Sequence, residues 1–413
     1  MANVTKSSRP SNLLSIKESQ ARRDRPLTGI GIWRLGFRPF YLGAALFGSI
    51  AIAYWTLLLY GSPIVVSPML ANPVFWHAHE MVFGFALAVI AGFLLTASNN
   101  WTGILPAGGL RLAFIFTLWC VARFSFFTGH LSLAASTDIL FAAILVVLLL
   151  RVLFIAKQWK NFTVIGMVAL MGALNAWFYA ILILDLPTNQ LYPIELALLI
   201  ILQLLVVMGG RVIPMFTQNG VPGISVYKPH FFVILVPITS ALGIISWLFL
   251  PPRLACFACF SAAGINLIRW IGWKPWRCLR YPMVWVLQLG YLWIPITYVS
   301  FGLNSLGFTA RSLPIHALAV GALSLIIFGM ITRTAMGHTG RQIIPSRVEL
   351  GMFSLIALSG LFRFFAATSN LLSTEIVSIL LISSGVLWSI AAALYLFKYT
   401  SWLFRPRIDG RPG

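Results

Sequence analysis

The sequence predicts an all-α polytopic membrane protein of about 12 transmembrane helices, arranged as three four-helix pseudo-repeats. Three observations carry this: an apolar composition broken into span-length pieces, the placement of the charges, and an internal repeat. Apolar residues make up 59% of the chain and charged residues only 9%. A stretch of about 20 apolar residues suffices to cross a hydrocarbon core. Twelve such stretches are read, at about 39–60, 77–97, 110–129, 133–156, 162–184, 193–215, 230–250, 252–272, 282–303, 313–335, 348–368 and 371–398. Residues 1–38 precede them as a polar, basic segment without a cleavable apolar core, so they are expected to be a retained, disordered cytoplasmic tail and not a signal peptide. Residues 399–413 are expected to form a second cytoplasmic tail.

The net charge of +20 invites a nucleic-acid reading, but its distribution opposes it. With the N-terminus in the cytoplasm, the cytoplasmic side receives the tail, Arg111, Arg151 to Lys160, Arg211 to Lys228, Arg269 to Arg280, Arg333 to Arg347 and the C-terminus. Only Arg253 and Arg311 fall in the opposite loops, and Arg123 and Arg363 fall inside spans. This is the positive-inside pattern of a multi-pass protein of a bacterial inner membrane, with both termini cytoplasmic and the lipid bilayer as its partner. The pair Cys256 and Cys259 lies in an apolar span with no second pair, so it reads as small buried residues and not as a zinc or redox motif.

The repeat is found by sliding the segment from His79 onto the segment from His316 without a gap. His79 then meets His316, Gly84 meets Gly321, Ile90 meets Ile327, Gly92 meets Gly329, and Thr102-Gly103 meets Thr339-Gly340. Gly209 to Gly220 has the same Gly-to-Gly length and reads as a third, degenerate copy. The copies fall on spans 2, 6 and 10, which gives pseudo-repeats of about 39–156, 162–272 and 282–398. Arg123 and Arg363 extend the pattern, since they sit in spans 3 and 11 of the first and third copies. Gly84, Ala88 and Gly92 form a small-residue stripe that reads as a close helix contact.

Three four-helix arcs with histidines near the outer ends of spans 2 and 10 resemble the catalytic subunit of haem-copper oxidases. That resemblance implies a haem held by one histidine from each of these spans, with arginines near the outer face holding its propionates. An oxidase also needs a second haem and a copper held by three histidines on helices 6 and 7. Here those spans carry none, since His230 lies at the start of span 7, and a proton-pumping oxygen reductase is not expected.

At the level of sequence the chain resembles the NnrS family of haem- and copper-containing membrane proteins. The matching stretches are FRPF at Phe37 to Phe40, WHAHEM at Trp76 to Met81, GFLLTA at Gly92 to Ala97 and NWTG at Asn100 to Gly103. They continue with GGRVIPMFT at Gly209 to Thr217, LGYLW at Leu289 to Trp293, HALAVGA at His316 to Ala322 and TR-x3-GHTGR at Thr332 to Arg341. One departure is Gln288, which stands two residues before Gly290-Tyr291, where the family pattern usually has histidine. The resemblance implies a haem-containing protein, with b-type haem and copper as candidate cofactors, that acts in nitric oxide metabolism or resistance to nitrosative stress, often alongside denitrification. Nitric oxide is the candidate small-molecule ligand, with an unidentified redox partner and no nucleic acid. No reaction follows from the resemblance.

Helix geometry then sorts the histidines. His77 and His79 are about 200° apart around a regular helix, so they cannot ligate one metal together. His79 shares its register with His316, and the two are expected to hold one haem, with Arg123 and Arg363 as candidate propionate partners. His77 lies on the side of Glu80 and Met81 at i+3 and i+4, a mixed N, O and S set for a copper ion. The alternatives are structural. The histidines can serve as hydrogen-bonding groups between helices, and the two arginines can pair with an acid such as Asp138 or Glu195 or snorkel. Arg333 lies roughly 25 Å along the helix from His316, so it and His338, with Arg341, are assigned to topology and loop capping, and His130 to a solvated loop. A secondary transporter and a haem or copper delivery protein remain as rival classes.

Overall fold

The computed structural model describes residues 31–59, 61, 73–368 and 372–410. Twelve helices among these are long and apolar enough to cross a membrane, and no strand is found among them. They are α1 (Phe37–Leu59), α2 (Pro73–Thr102), α3 (Leu110–Phe127), α4 (Leu131–Ile155), α5 (Phe162–Ile183) and α6 (Leu191–Gly220). The second half comprises α7 (Phe232–Phe249), α8 (Pro252–Gly272), α9 (Pro282–Ser305), α10 (Ser312–His338), α11 (Arg347–Ala366) and α12 (Thr374–Phe404). A bilayer admits this solution because a helix satisfies its own backbone donors and acceptors where water cannot.

The chain boundaries differ from the expected tails. Residues 31–36 are folded: Gly31–Trp33 forms a 3-10 turn, Ile32 and Leu35 are buried, and the Trp33 ring meets Phe116 edge-on. Their apolar side chains find a surface on the bundle, which a polar tail would not. Residues 1–30 of the expected tail lie outside the described residues. At the other end α12 continues to Phe404, and the segment after it folds back so that the Ile408 amide donates to the Thr339 carbonyl (3.2 Å). With an even number of spans, both described ends lie on one face, called the terminal face below.

Neighbours recur around the bundle. Helix α2 packs on α1, α3 and α4, and reaches α5 through His79. Helix α6 packs on α5, α7 and α9, and takes a hydrogen bond from α8 through Arg269. Helix α10 packs on α9, α11, α12 and, closing the circle, α1. Each therefore meets the element before it and the next three in cyclic order, while α6 also touches both α2 and α10. The glycines permit the closeness. A Cβ on Gly92 would crowd Phe40 and Tyr41 of α1, and one on Gly329 would crowd Leu287 and Val286 of α9. Gly209 of α6 faces Tyr291 of α9 instead, so the middle copy departs from the other two.

Helices α2 and α10 share a further irregularity. Both run as α-helix up to the histidine, then as a seven-residue π-helix, Glu80–Ala86 in one and Ala317–Leu323 in the other, then as α-helix again. π-Turns interrupt the i→i+4 ladder and recur at functional sites. Two polar groups compensate here: Trp119 donates through Nε1 to the Gly84 carbonyl (3.0 Å), and the Ser324 hydroxyl donates to the Ala319 carbonyl (3.0 Å).

The close contacts give a test. A Cβ on Gly321 would overlap the Trp293 indole, whereas nothing lies within 4 Å of the equivalent point on Gly351. Gly321→Leu is expected to destabilise the detergent-solubilised protein by about 1–3 kcal/mol through overpacking, and Gly351→Ala to leave stability unchanged or slightly raised. Thermal unfolding of the two variants checks both.

Candidate functional site

Away from the terminal face, near the start of α2, two polar networks lie inside the bundle. The first is built on α2, α3, α4 and α5. Arg123 of α3 lies between two acids, donating through Nη1 to Glu80 Oε1 (2.6 Å) and through Nη2 to Asp138 of α4. Tyr179 of α5 donates to the same Asp138 oxygen (3.0 Å). His79 lies against this ion triad, with Nδ1 at 2.9 Å from Glu80 Oε1 and Nε2 at 2.9 Å from Asn175 Oδ1 of α5. Its ring is enclosed by Phe178 (4.4 Å between centroids) and Phe126 (4.5 Å), and is fully buried. Gly84 makes the arrangement fit, since a side chain there would meet both Glu80 Oε2 and Arg123 Nη1.

The second network is built on α1, α2, α10 and α11. His316 donates from Nδ1 to the Ser312 carbonyl (2.7 Å), which fixes its tautomer and leaves the Nε2 lone pair as an acceptor. That lone pair accepts from Arg363 Nη2 of α11 (2.9 Å). His77 stacks on the Trp55 ring of α1 (4.4 Å, 12° between planes). It lies, with Arg363, within electrostatic range of His316, and its buried Nδ1 has no hydrogen-bond partner.

The expected pairing of histidines is therefore not the one the structure brings together. His79 and His316 share register but sit in separate networks with no common partner residue. Both nitrogens of His79 face acceptors on Glu80 and Asn175, whereas His316 faces Arg363 and His77. The roughly 200° between His77 and His79 is preserved, and it is His77 that turns toward α10. The expected copper set does not assemble either. Glu80 points into the Arg123 network, Met81 packs against the hydrophobic core, and His77 stacks on Trp55. Among the described residues, no group of three or more His, Cys, Asp or Glu side chains is arranged to hold a metal ion.

Of the two arginines, Arg123 takes acid partners, Asp138 among them, and Arg363 takes an imidazole. Glu195 pairs with Arg311 instead (2.8 Å). Arg333 lies over the Phe216 ring (4.0 Å), and His130 meets the Thr128 hydroxyl (3.0 Å). Gln288 is buried and donates to the Thr217 hydroxyl of α6 (2.8 Å), so it serves a contact between α6 and α9. Three participants were not singled out from sequence: Asn175, Tyr179 and Trp55. Asn175 had a signal, as the one amide in an otherwise apolar span.

Comparison with protein families matches residues 31–407 to the family described as NnrS protein. The chain belongs to the NnrS family. No curated protein matches the chain. NnrS membership fits a membrane protein tied to the nitric oxide response, and the matched region takes in both histidine networks and the folded segment before α1.

The ion triad carries a stability prediction. Removing one partner of a buried ion pair strands the other charge, at a cost of about 3–5 kcal/mol. Arg123→Met is expected to lose stability on that scale, and adding Glu80→Gln and Asp138→Asn to it to recover a large part. Unfolding curves in detergent for the single and triple variants test this, and an unstable triple variant with a stable single one would contradict it.

Proposed function

We propose that this protein binds a haem between the non-terminal-face ends of α2 and α10 and acts in nitric oxide metabolism or resistance to nitrosative stress, in a bacterial inner membrane with cytoplasmic termini. The carrying observation is His316, whose Nδ1–H is held by a backbone carbonyl, so that Nε2, which here accepts from Arg363, is the nitrogen a metal would take. This is the second-shell arrangement by which proteins orient a metal-binding imidazole. His77, with a buried and unpartnered ring nitrogen in the same network, is the second candidate ligand. On this reading His77 and His316 would hold the haem, where the register argument favours His79 and His316.

A haem iron held by imidazole supplies electron transfer or, where one ligand is labile, a site for a diatomic gas. The chain's own residues have distinct tasks in this reading. Ser312 fixes the tautomer and orientation of His316, Trp55 holds the His77 ring in plane, and Arg363 provides a cation for a propionate. Arg123 is occupied by Glu80 and Asp138 and is not assigned to propionate binding. Among the described residues the expected copper donors do not converge. A cavity of about 90 Å³ between α2, α6 and α10, lined by apolar residues such as Val89, Leu205 and Ile327, suits a small apolar molecule such as nitric oxide. A plain secondary transporter would carry no stoichiometric haem, and a haem delivery protein would release it.

The test is the visible absorption and electron paramagnetic resonance of purified protein and of the variants His77→Ala, His316→Ala and His79→Ala. Wild type is expected to show a low-spin Soret spectrum. The first two variants should each become five-coordinate and open to carbon monoxide or nitric oxide, while His79→Ala keeps the low-spin spectrum and loses stability. A low-spin spectrum that survives both of the first two substitutions, or that His79→Ala alone abolishes, would refute the assignment.

A further inference from the structure

At the terminal face the fold gathers arginines from three distant parts of the chain. Arg34 and Arg38 come from the start of α1, Arg341 from the turn after α10, and Arg405 and Arg407 from the segment that follows α12. Arg34, Arg341 and Arg407 all lie within electrostatic range of Arg38, and Arg405 lies within range of Arg341. His338 adds an imidazole within range of Arg38 and Arg407. Two of the family stretches, Phe37 to Phe40 and Gly337 to Arg341, meet at this point: the His338 ring packs on Phe37 (5.4 Å).

Among the described residues, the carboxylates at this face already have cation partners. Asp409 is engaged by Arg407 (2.6 Å), and Glu349 by Lys398 (2.6 Å). Arg38 donates to the Leu403 and Arg405 carbonyls (both 2.8 Å), at the C-terminal end of α12. Among the described residues Arg34, Arg341 and Arg405 have no carboxylate partner. Arg34 Nε and Arg341 Nη1 are buried with no hydrogen-bond acceptor. Desolvation and the charge of Arg405 pull the Arg341 guanidinium below its ordinary pKa. Its ring partner, Trp402 (4.2 Å), and Trp33 beside Arg34 are half-buried aromatics of the kind found at headgroup level.

Like charges gather in one region, and two of their buried donors lack acceptors, which a shared oxyanion would supply. Guanidinium forks match a phosphate group in geometry and charge. We propose that this cluster is a binding site for one phosphate-bearing anion, the headgroup phosphate of an anionic phospholipid, held by Arg341, Arg34 and Arg405. A lipid is favoured over a soluble ion because the cluster lies where α1 and α12 meet the terminal face, at the depth of an anionic leaflet's headgroups.

The experiment uses the full-length protein in a neutral detergent, with native mass spectrometry to count retained lipids and thermal unfolding to read stabilisation. The probes are phosphatidylglycerol, phosphatidylcholine and inorganic phosphate. One phosphatidylglycerol is expected to be retained and to raise the unfolding temperature, and phosphatidylcholine is not. Arg341→Gln and Arg34→Gln should each weaken retention about tenfold, as the loss of one charge-assisted hydrogen bond implies. Arg341→Lys, which keeps the charge and loses the fork, should show a smaller loss in a protein that still folds. Arg277→Gln and Arg280→Gln, at exposed arginines of the α8–α9 connection on the same face, should not change retention. Equal losses from these controls would reduce the effect to general surface charge and overturn the proposal. So would stabilisation by inorganic phosphate as strong as by the lipid, or the absence of any preference for phosphatidylglycerol.

Discussion

A charge placed inside a bilayer must find an opposite charge or a dense set of hydrogen bonds, and in this molecule Arg123 is where that demand is met first. Glu80 and Asp138 answer it from two other helices, Tyr179 supports Asp138 from a fourth element, and His79 closes the set onto Asn175. Four consecutive helices are thus tied by one ion triad and its hydrogen bonds. The low dielectric that makes such groups costly when alone also strengthens the bonds they make with each other, while Glu80 Oε2, Arg123 Nε and Asp138 Oδ1 stay buried without a hydrogen-bond partner. It explains why His79, enclosed by Phe126 and Phe178 with both nitrogens engaged, behaves as a member of the network and not as a free ligand.

The same reasoning applied to the other repeat gives the opposite outcome. Where the first copy has Glu80 after its histidine, the third has Ala317, so α10 offers Arg363 no carboxylate at that position. Arg363 instead donates to the His316 imidazole. Two copies of one pattern thus diverge at this position: in the first the acid takes the arginine and a histidine nitrogen together, and in the third the histidine itself accepts from the arginine. His77 then joins His316, because it occupies the face of α2 opposite His79.

The spans were legible in the sequence, because apolar composition over a span's length reports membrane burial directly. The Asp138 partner of Arg123 was legible too, as one of two named acids. The partner of His316 was not. Equal register fixes depth along a helix but says nothing of azimuth relative to a neighbour, and the choice between His77 and His79 is azimuthal. The expected copper donors are not gathered together for a related reason: their i+3 and i+4 geometry assumes an unbroken α-helix, and the π-segment begins at Glu80. The folded residues before α1 were read as tail because their basic neighbours outweigh Ile32, Trp33 and Leu35 in any window average.

The apolar cavity between the three inner helices bears on how a small molecule would move through such a molecule. Val89 lies ten residues beyond His79, about 15 Å along the helix, so the cavity sits deeper than either histidine network. Its walls are aliphatic and aromatic, with few polar atoms, and a site of that kind does not retain water well. An apolar diatomic gas has the reverse preference, being soluble in the surrounding lipid and unhindered by the lack of hydrogen-bond partners. The arrangement separates two environments along the helices. The polar groups of His77, His316 and Arg363 lie toward the starts of α2 and α10 and the end of α11, and the apolar volume lies farther along, between α2, α6 and α10.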